Sequence, residues 1–168
     1  MKIPICHFCL RSGILCAMCQ EKLRKGLITE LDLKIMRFLV DMAEKVSELD
    51  KITYNRSIEA NNLVIVVLGR GDLAKIARVK GKIAKKLSKL LNKNVKIVEE
   101  TSDVKQMVSN LIAPARLLGV NYVYVPGDVD YLKIRVSRSD KRKISQELEA
   151  LKTVVEKLTG FKVLFSFE

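Results

Sequence analysis

A chain of 168 residues with 48% hydrophobic content is long enough to bury a core in one ordinary domain or two small ones. Its net charge of +12 makes a polyanion the expected partner, because lysines and arginines that neutralise phosphates release condensed counterions whatever the base sequence; anionic membrane is the weaker alternative. A single histidine leaves no Ser-His-Asp or Cys-His arrangement and no H-E-x-x-H helix, no apolar run reaches the length of a membrane span, and aromatics at 5% with no tryptophan argue against base stacking on an aromatic platform.

The whole cysteine complement stands at the start as Cys6-x2-Cys9-x6-Cys16-x2-Cys19. Each C-x-x-C pair can wrap one turn of backbone around an ion, and two pairs supply the four thiolates of a closed tetrahedral site, so one structural Zn2+ per chain is the expected cofactor. Two disulfides are the alternative, as in a secreted minidomain or a hyperthermophile's cytosol, but no signal peptide precedes Cys6, which points to a cytoplasmic protein. Rubredoxin-type iron uses similar pairs. A site with four protein ligands has no open position for water or substrate, so this metal is expected to hold a fold together and not to catalyse. His7, between the ligands, is expected to be an exposed residue outside the ligand set. Carboxylates such as Glu99-Glu100, Glu147 and Glu149 read as solvated surface, and no enzyme is expected.

Beyond the cysteines, Gln20 to Lys25 is expected to form a short basic helix stopped at Gly26. Thr29-x-x-Asp32 is a capping-box signature for a second helix, with Leu31, Ile35, Leu39, Met42 and Val46 as its apolar stripe and an end near Ser47. Lys51 to Ser57 is β-compatible, Asn61-Asn62 marks a turn, and Leu63 to Leu68 has the length of a buried strand, which together predict a hairpin. Asp72 is expected to cap a helix over Leu73 to Ala77, meeting near Gly81 a helix over Lys82 to Leu91 that buries Ile83, Leu87, Leu90 and Leu91. Its other face carries Lys82, Lys85, Lys86, Lys89 and Lys93. Like charges at helical neighbour spacing oppose the helix unless an anion neutralises them, so this stripe is a candidate anion-binding face, with plain solvation the alternative.

Asn92 to Asn94 turns the chain into strand Val95 to Val98, and Asp103 to Leu111 predicts a helix closed before Pro114. Val120 to Val125 and Tyr131 to Val136 flank Pro126-Gly127-Asp128 as a second hairpin. Ser139 or Asp140 then caps one long helix with Ile144, Leu148, Leu151, Val155 and Leu158 in a stripe, stopped at Gly160 before strand Lys162 to Phe167. The halves read as divergent copies of one α/β unit in which helices cover one face of a small sheet.

The run Val67-Leu68-Gly69-Arg70-Gly71-Asp72-Leu73-Ala74-Lys75-Ile76-Ala77-Arg78-Val79-Lys80-Gly81, continuing to Lys85-Lys86-Leu87 and Val95-Lys96-Ile97-Val98-Glu99, resembles the first KH domain of archaeal NusA-like proteins. Asn110-Leu111-Ile112-Ala113-Pro114-Ala115-Arg116, followed by Leu118-Gly119-Val120, resembles the linker and first strand of the second. The resemblance covers about Lys51 to Glu168. It implies two KH-like units of type II; with the cysteine segment outside the resemblance as a zinc knuckle or ribbon, the expected fold is α+β, divided as 1–26, 27–112 and 113–168. A KH domain holds four nucleotides of single strand against a GxxG turn between two helices. The matching tetrad is Arg78-Val79-Lys80-Gly81, with the second glycine kept and the first replaced by arginine. The resemblance therefore implies RNA contacts from Arg78, Val79, Lys80 and Gly81, extended by Lys82, Lys85, Lys86 and Lys89. Gly69 and Gly71 lie too early and shape a turn. The second half has no glycine between Asp140 and Leu158, so its helix pair is expected to be fused and its clamp lost. The function implied is non-enzymatic RNA binding in transcription elongation or termination or on ribosomal RNA. The alternative is a protein-interaction scaffold on RNA polymerase or the ribosome.

Overall fold

The computed structural model describes residues 1–168. Two short helices, α1 (His7–Ser12) and α2 (Ala17–Arg24), precede α3 (Glu30–Ala43) and a 3-10 turn over Ser47–Lys51. Then follow β1 (Tyr54–Ala60), β2 (Leu63–Leu68), α4 (Asp72–Lys75), α5 (Lys80–Leu91) and β3 (Asn94–Glu99). The rest is α6 (Val104–Ile112), β4 (Leu117–Val123), β5 (Tyr131–Val136), α7 (Lys141–Ile144), α8 (Leu148–Thr159) and β6 (Lys162–Phe167). The fold is α+β, as expected, with two three-stranded sheets of order β1-β2-β3 and β4-β5-β6. No helix is long and apolar enough to cross a membrane.

The chain divides into two compact units, one of residues 1–58 and 65–100, the other of 59–64 and 101–168. Residues 1–26 are too few for a core of their own, and α1 packs on α3, burying Cys9 and Leu10. Helix α6 packs on β4 and α8 and so joins the second unit.

In α3 the capping box forms as expected: Thr29 Oγ1 accepts from the Asp32 N–H at 3.1 Å and Asp32 Oδ2 from the Thr29 N–H at 2.8 Å. The buried stripe is rotated, however, onto Leu33, Ile35, Met36, Leu39, Met42 and Ala43, leaving Leu31 and Val46 half-buried. Asp32 causes the rotation, since its buried carboxylate also accepts from Ser57 Oγ at 2.6 Å and from the Tyr54 hydroxyl, tying α3 to β1. Burial and the Asp32 charge push the Tyr54 phenol upward, so it remains a donor. Next to it, β2 is buried along its whole length, a strand covered on both faces.

The two units repeat each other down to their hydrogen bonds. Asp72 is the first residue of α4, behind Gly71 at φ +81°, and does not cap the helix as expected. Its buried carboxylate accepts from the Thr53 N–H at 2.7 Å and from Lys75 Nζ at 2.9 Å. Asp140 does the same in the second unit, accepting from the Arg116 N–H at 3.0 Å and Lys143 Nζ at 2.8 Å. Glu100 N–H donates to the Leu68 carbonyl as Glu168 N–H does to that of Val136, and Asn92 and Gly160 end α5 and α8 in the left-handed region. Numbers 72 and 140, 92 and 160, 100 and 168 differ by the same 68.

That equivalence overturns the fused helix. A 3-10 turn at Ser145–Glu147 separates α7 from α8 and lets Ile144 enter the core while Leu148 stays half-buried. Ser145, Gln146 and Glu147 are all helix-compatible, so residue periodicity gives no sign of the break. In the first unit α5 starts at Lys80, α4 and α5 are joined through Ile76–Val79, Gly81 lies inside α5, and Leu90 is exposed while Leu91 is half-buried.

The Lys143 ammonium, then the Arg116 N–H, hold the Asp140 carboxyl at about 2, below its ordinary value. A depressed folded-state value stabilises above the unfolded pKa and is lost as pH falls through the folded one. The Asp140→Asn chain is therefore expected to show a shallower loss of thermal midpoint than the parent between about pH 4 and pH 2. Identical acid profiles would show that the carboxylate contributes nothing.

Candidate metal centre and basic helix face

Each cysteine pair spans the start of a helix. Cys6 and Cys16 are the N-cap residues of α1 and α2, without a side-chain capping hydrogen bond, and Cys9 and Cys19 lie one turn on, so the four sulfurs sit at the two helix starts. The Cys16 N–H donates to Cys9 Sγ at 3.2 Å. All four Sγ atoms lie within 4.8 Å of one another, and none is in a disulfide. The Cys6 and Cys19 sulfurs are 3.8 Å apart. A tetrahedron with metal–sulfur bonds of about 2.3 Å has edges of about 3.8 Å, so four thiolates of this spacing fit one ion.

Cys16 and Cys6 are shifted in opposite directions. Hydrogen bonds from the Cys19 backbone and side chain bring Cys16 down to about 7, whereas Cys6 is pushed up to about 12 by its hydrogen bonds to Cys19 and Cys16 and by their charge. A divalent cation bound by these sulfurs must displace their thiol protons. Neighbouring contacts brace the cluster: Lys22 Nζ donates to the Pro4 carbonyl at 2.6 Å, Arg37 Nε to that of Leu10 at 3.3 Å, and Lys2 bridges to Thr53. His7 stands outside the sulfur cluster, exposed, with Nε2 3.1 Å from the Met1 carbonyl oxygen. The N-terminal segment is thus a pair of helix starts rather than a ribbon.

On α5, Lys82, Lys85, Lys86 and Lys89 are exposed opposite the buried Ile83 and Leu87, while Lys80 and Val79 are half-buried. Between Lys80 and Leu91 there is no acidic residue. Arg78 is exposed in the turn, but its guanidinium sits on the Glu48 carboxylate, whose pKa it lowers; nothing in the local sequence signals a partner thirty residues away. Gly81 is open: a Cβ there would meet nothing within 4 Å, and its φ is not in the left-handed region. At the equivalent turn of the second unit stand Gln146-Glu147-Leu148-Glu149, with no glycine and no cation.

No protein-family model matches the chain, and no curated protein matches it. The solved structure described as "Crystal structure of APE1850" is similar over 80% of this chain and 99% of its own, with 25% sequence identity and a TM-score of 0.55. What the chain shares with it is a fold.

Proposed function

We propose that this chain is a non-enzymatic, cytoplasmic RNA-binding protein of the NusA-like KH type, acting on nascent transcript or on ribosomal RNA, with one structural Zn2+ in its cysteine cluster. The observation that carries the reading is the α5 face with Gly81. Four exposed lysines follow one another on a helix without a carboxylate, directly after a turn between two helices, where a KH domain carries its GxxG. A glycine in the first turn of a helix costs about 0.5 kcal/mol relative to alanine. Gly81 repays that neither in backbone conformation nor in packing, and close approach of an RNA backbone accounts for it. Lys80, Lys82, Lys85, Lys86 and Lys89 then contact phosphate, and Arg78, oriented by Glu48, offers its remaining N–H donors. Zinc is favoured over iron because a closed four-thiolate site is its commonest structural use.

A second reading, a scaffold on RNA polymerase or the ribosome, is favoured by Phe8, Ile14, Met18 and Leu27, which are 68% to 78% exposed in and beside the cysteine segment. Isolation from cells at low salt separates the two. RNA is expected to accompany the protein and to leave as salt is raised. Retention of polymerase or ribosomal proteins after RNase, with no RNA bound by the purified chain, would favour the scaffold instead.

A further inference from the structure

The second sheet is covered on one face only. Along β5, Leu132, Ile134 and Val136 are fully buried, while Tyr131, Lys133 and Arg135 point the other way and remain half-exposed. Strand pairing extends this open face in rows: Val123, Tyr131 and Lys162; Asn121, Lys133 and Leu164; Gly119, Arg135 and Ser166. In the first sheet the central strand β2 is buried along its whole length, so here the two sheets differ.

Arg135 is anchored on this face by two hydrogen bonds. Its Nε donates to Glu168 Oε2 at 3.0 Å and its Nη1 to Asn121 Oδ1 at 3.4 Å. A Cβ at Gly119 would come within 3.1 Å of Nη1, so the missing side chain makes room for the guanidinium across β4. Three cations, Lys133, Arg135 and Lys162, stand on the rows against one carboxylate, Glu168, which Arg135 already engages. Asp128 and Asp130 belong to the β4–β5 loop, outside the rows. Tyr131 is the aromatic side chain on these rows; Tyr122, Phe165 and Phe167 pair with the buried Leu132, Ile134 and Val136 on the covered face.

We propose that this open sheet face is a second site for single-stranded RNA, with bases stacking on Tyr131 and on the Arg135 guanidinium plane and phosphates taken by Lys133 and Lys162. It rests on the RNA-binding reading of the chain. Flat π surfaces alternating with ammonium groups on one strand suit stacked bases linked by phosphates. The exposed apolar side chains in the rows, Val123 and Leu164, are too little for the apolar centre of a protein interface.

The test is photocrosslinking of the intact chain to an oligouridylate containing 4-thiouridine, with peptide mapping, and anisotropy titrations with the same oligonucleotide. Crosslinks are expected within residues 131–135 as well as near α5. Tyr131→Leu is expected to weaken binding about 10-fold with an unchanged salt slope. The Lys133→Gln, Lys162→Gln double variant is expected to shallow that slope by about 1.4. Crosslinks confined to residues 76–89, with both variants binding like the parent, overturn the sheet site and leave the α5 reading standing. Crosslinks confined to 131–135 support the sheet site and overturn the α5 reading. Absence of any binding sinks both. Loss of a protein partner with RNA affinity unchanged would assign the face to protein and overturn the proposal.

Discussion

Chelating the metal is expected to melt the N-terminal segment outright and to loosen the first unit while sparing the second. Helices α1 and α2 have 6 and 8 residues, too short to persist without the ion that joins their starts. Structural zinc sites contribute about 10–16 kcal/mol of apparent binding free energy near neutral pH, comparable to the roughly 5–15 kcal/mol by which a whole domain is commonly stable. Loss spreads to α3 because Leu10 packs there and Arg37 holds the Leu10 carbonyl, and to β1 through the Lys2–Thr53 bridge. The expected result is one equivalent of zinc released, four thiols newly titratable, and a lower urea midpoint for the first unit alone. Binding must displace protons from Cys6, at about 12, so affinity is expected to rise with pH across the neutral range. Protein purified under reducing conditions with no metal, four free thiols and unchanged helicity would refute the site.

Strands β2, β5 and β6 stand on the residues that sequence assigns them, because each is a compact apolar or alternating run bounded by turn residues. From sequence, helices are expected on one face of each sheet, which holds for the alternating β5, whereas β2 is buried along its whole length. The convergence of the cysteines followed from spacing, but not that Cys6 and Cys16 would cap helices, since cysteine is not a capping residue by preference. What escaped was set by distant partners. Asp32 looks like a capping residue and no more, until Tyr54 and Ser57 arrive and turn the helix stripe to bury it. Asp72 and Asp140 look like N-caps but serve the N–H groups of Thr53 and Arg116, 19 and 24 residues earlier. The break at Ser145–Glu147 is likewise imposed by the core position of Ile144 and not by local propensity.

Replacing Lys82, Lys85 and Lys89 together with glutamine is expected to leave the chain folded and to weaken RNA binding in a way that only salt dependence reveals. The three side chains are exposed, Ile83 and Leu87 still anchor α5, and glutamine is a comparable helix former. Relief of like-charge repulsion at helical neighbour spacing is worth a few tenths of a kcal/mol, so the thermal midpoint should hold or rise slightly. Each phosphate of a single strand that no longer meets a lysine shallows the plot of log affinity against log salt by about 0.7, and three together by roughly 2. Removing a specific hydrogen bond without removing charge would shift that line and leave its slope unchanged. Gly81→Ala supplies the complementary probe: a Cβ there meets no protein atom and should stabilise the first turn of α5 by about 0.5 kcal/mol, yet it occupies the space through which a backbone phosphate would approach. A more stable protein that binds RNA less well is the combination expected of a ligand-facing glycine. If both variants fold and bind with the parent's affinity and slope, the lysine face is solvated surface and the scaffold reading takes precedence.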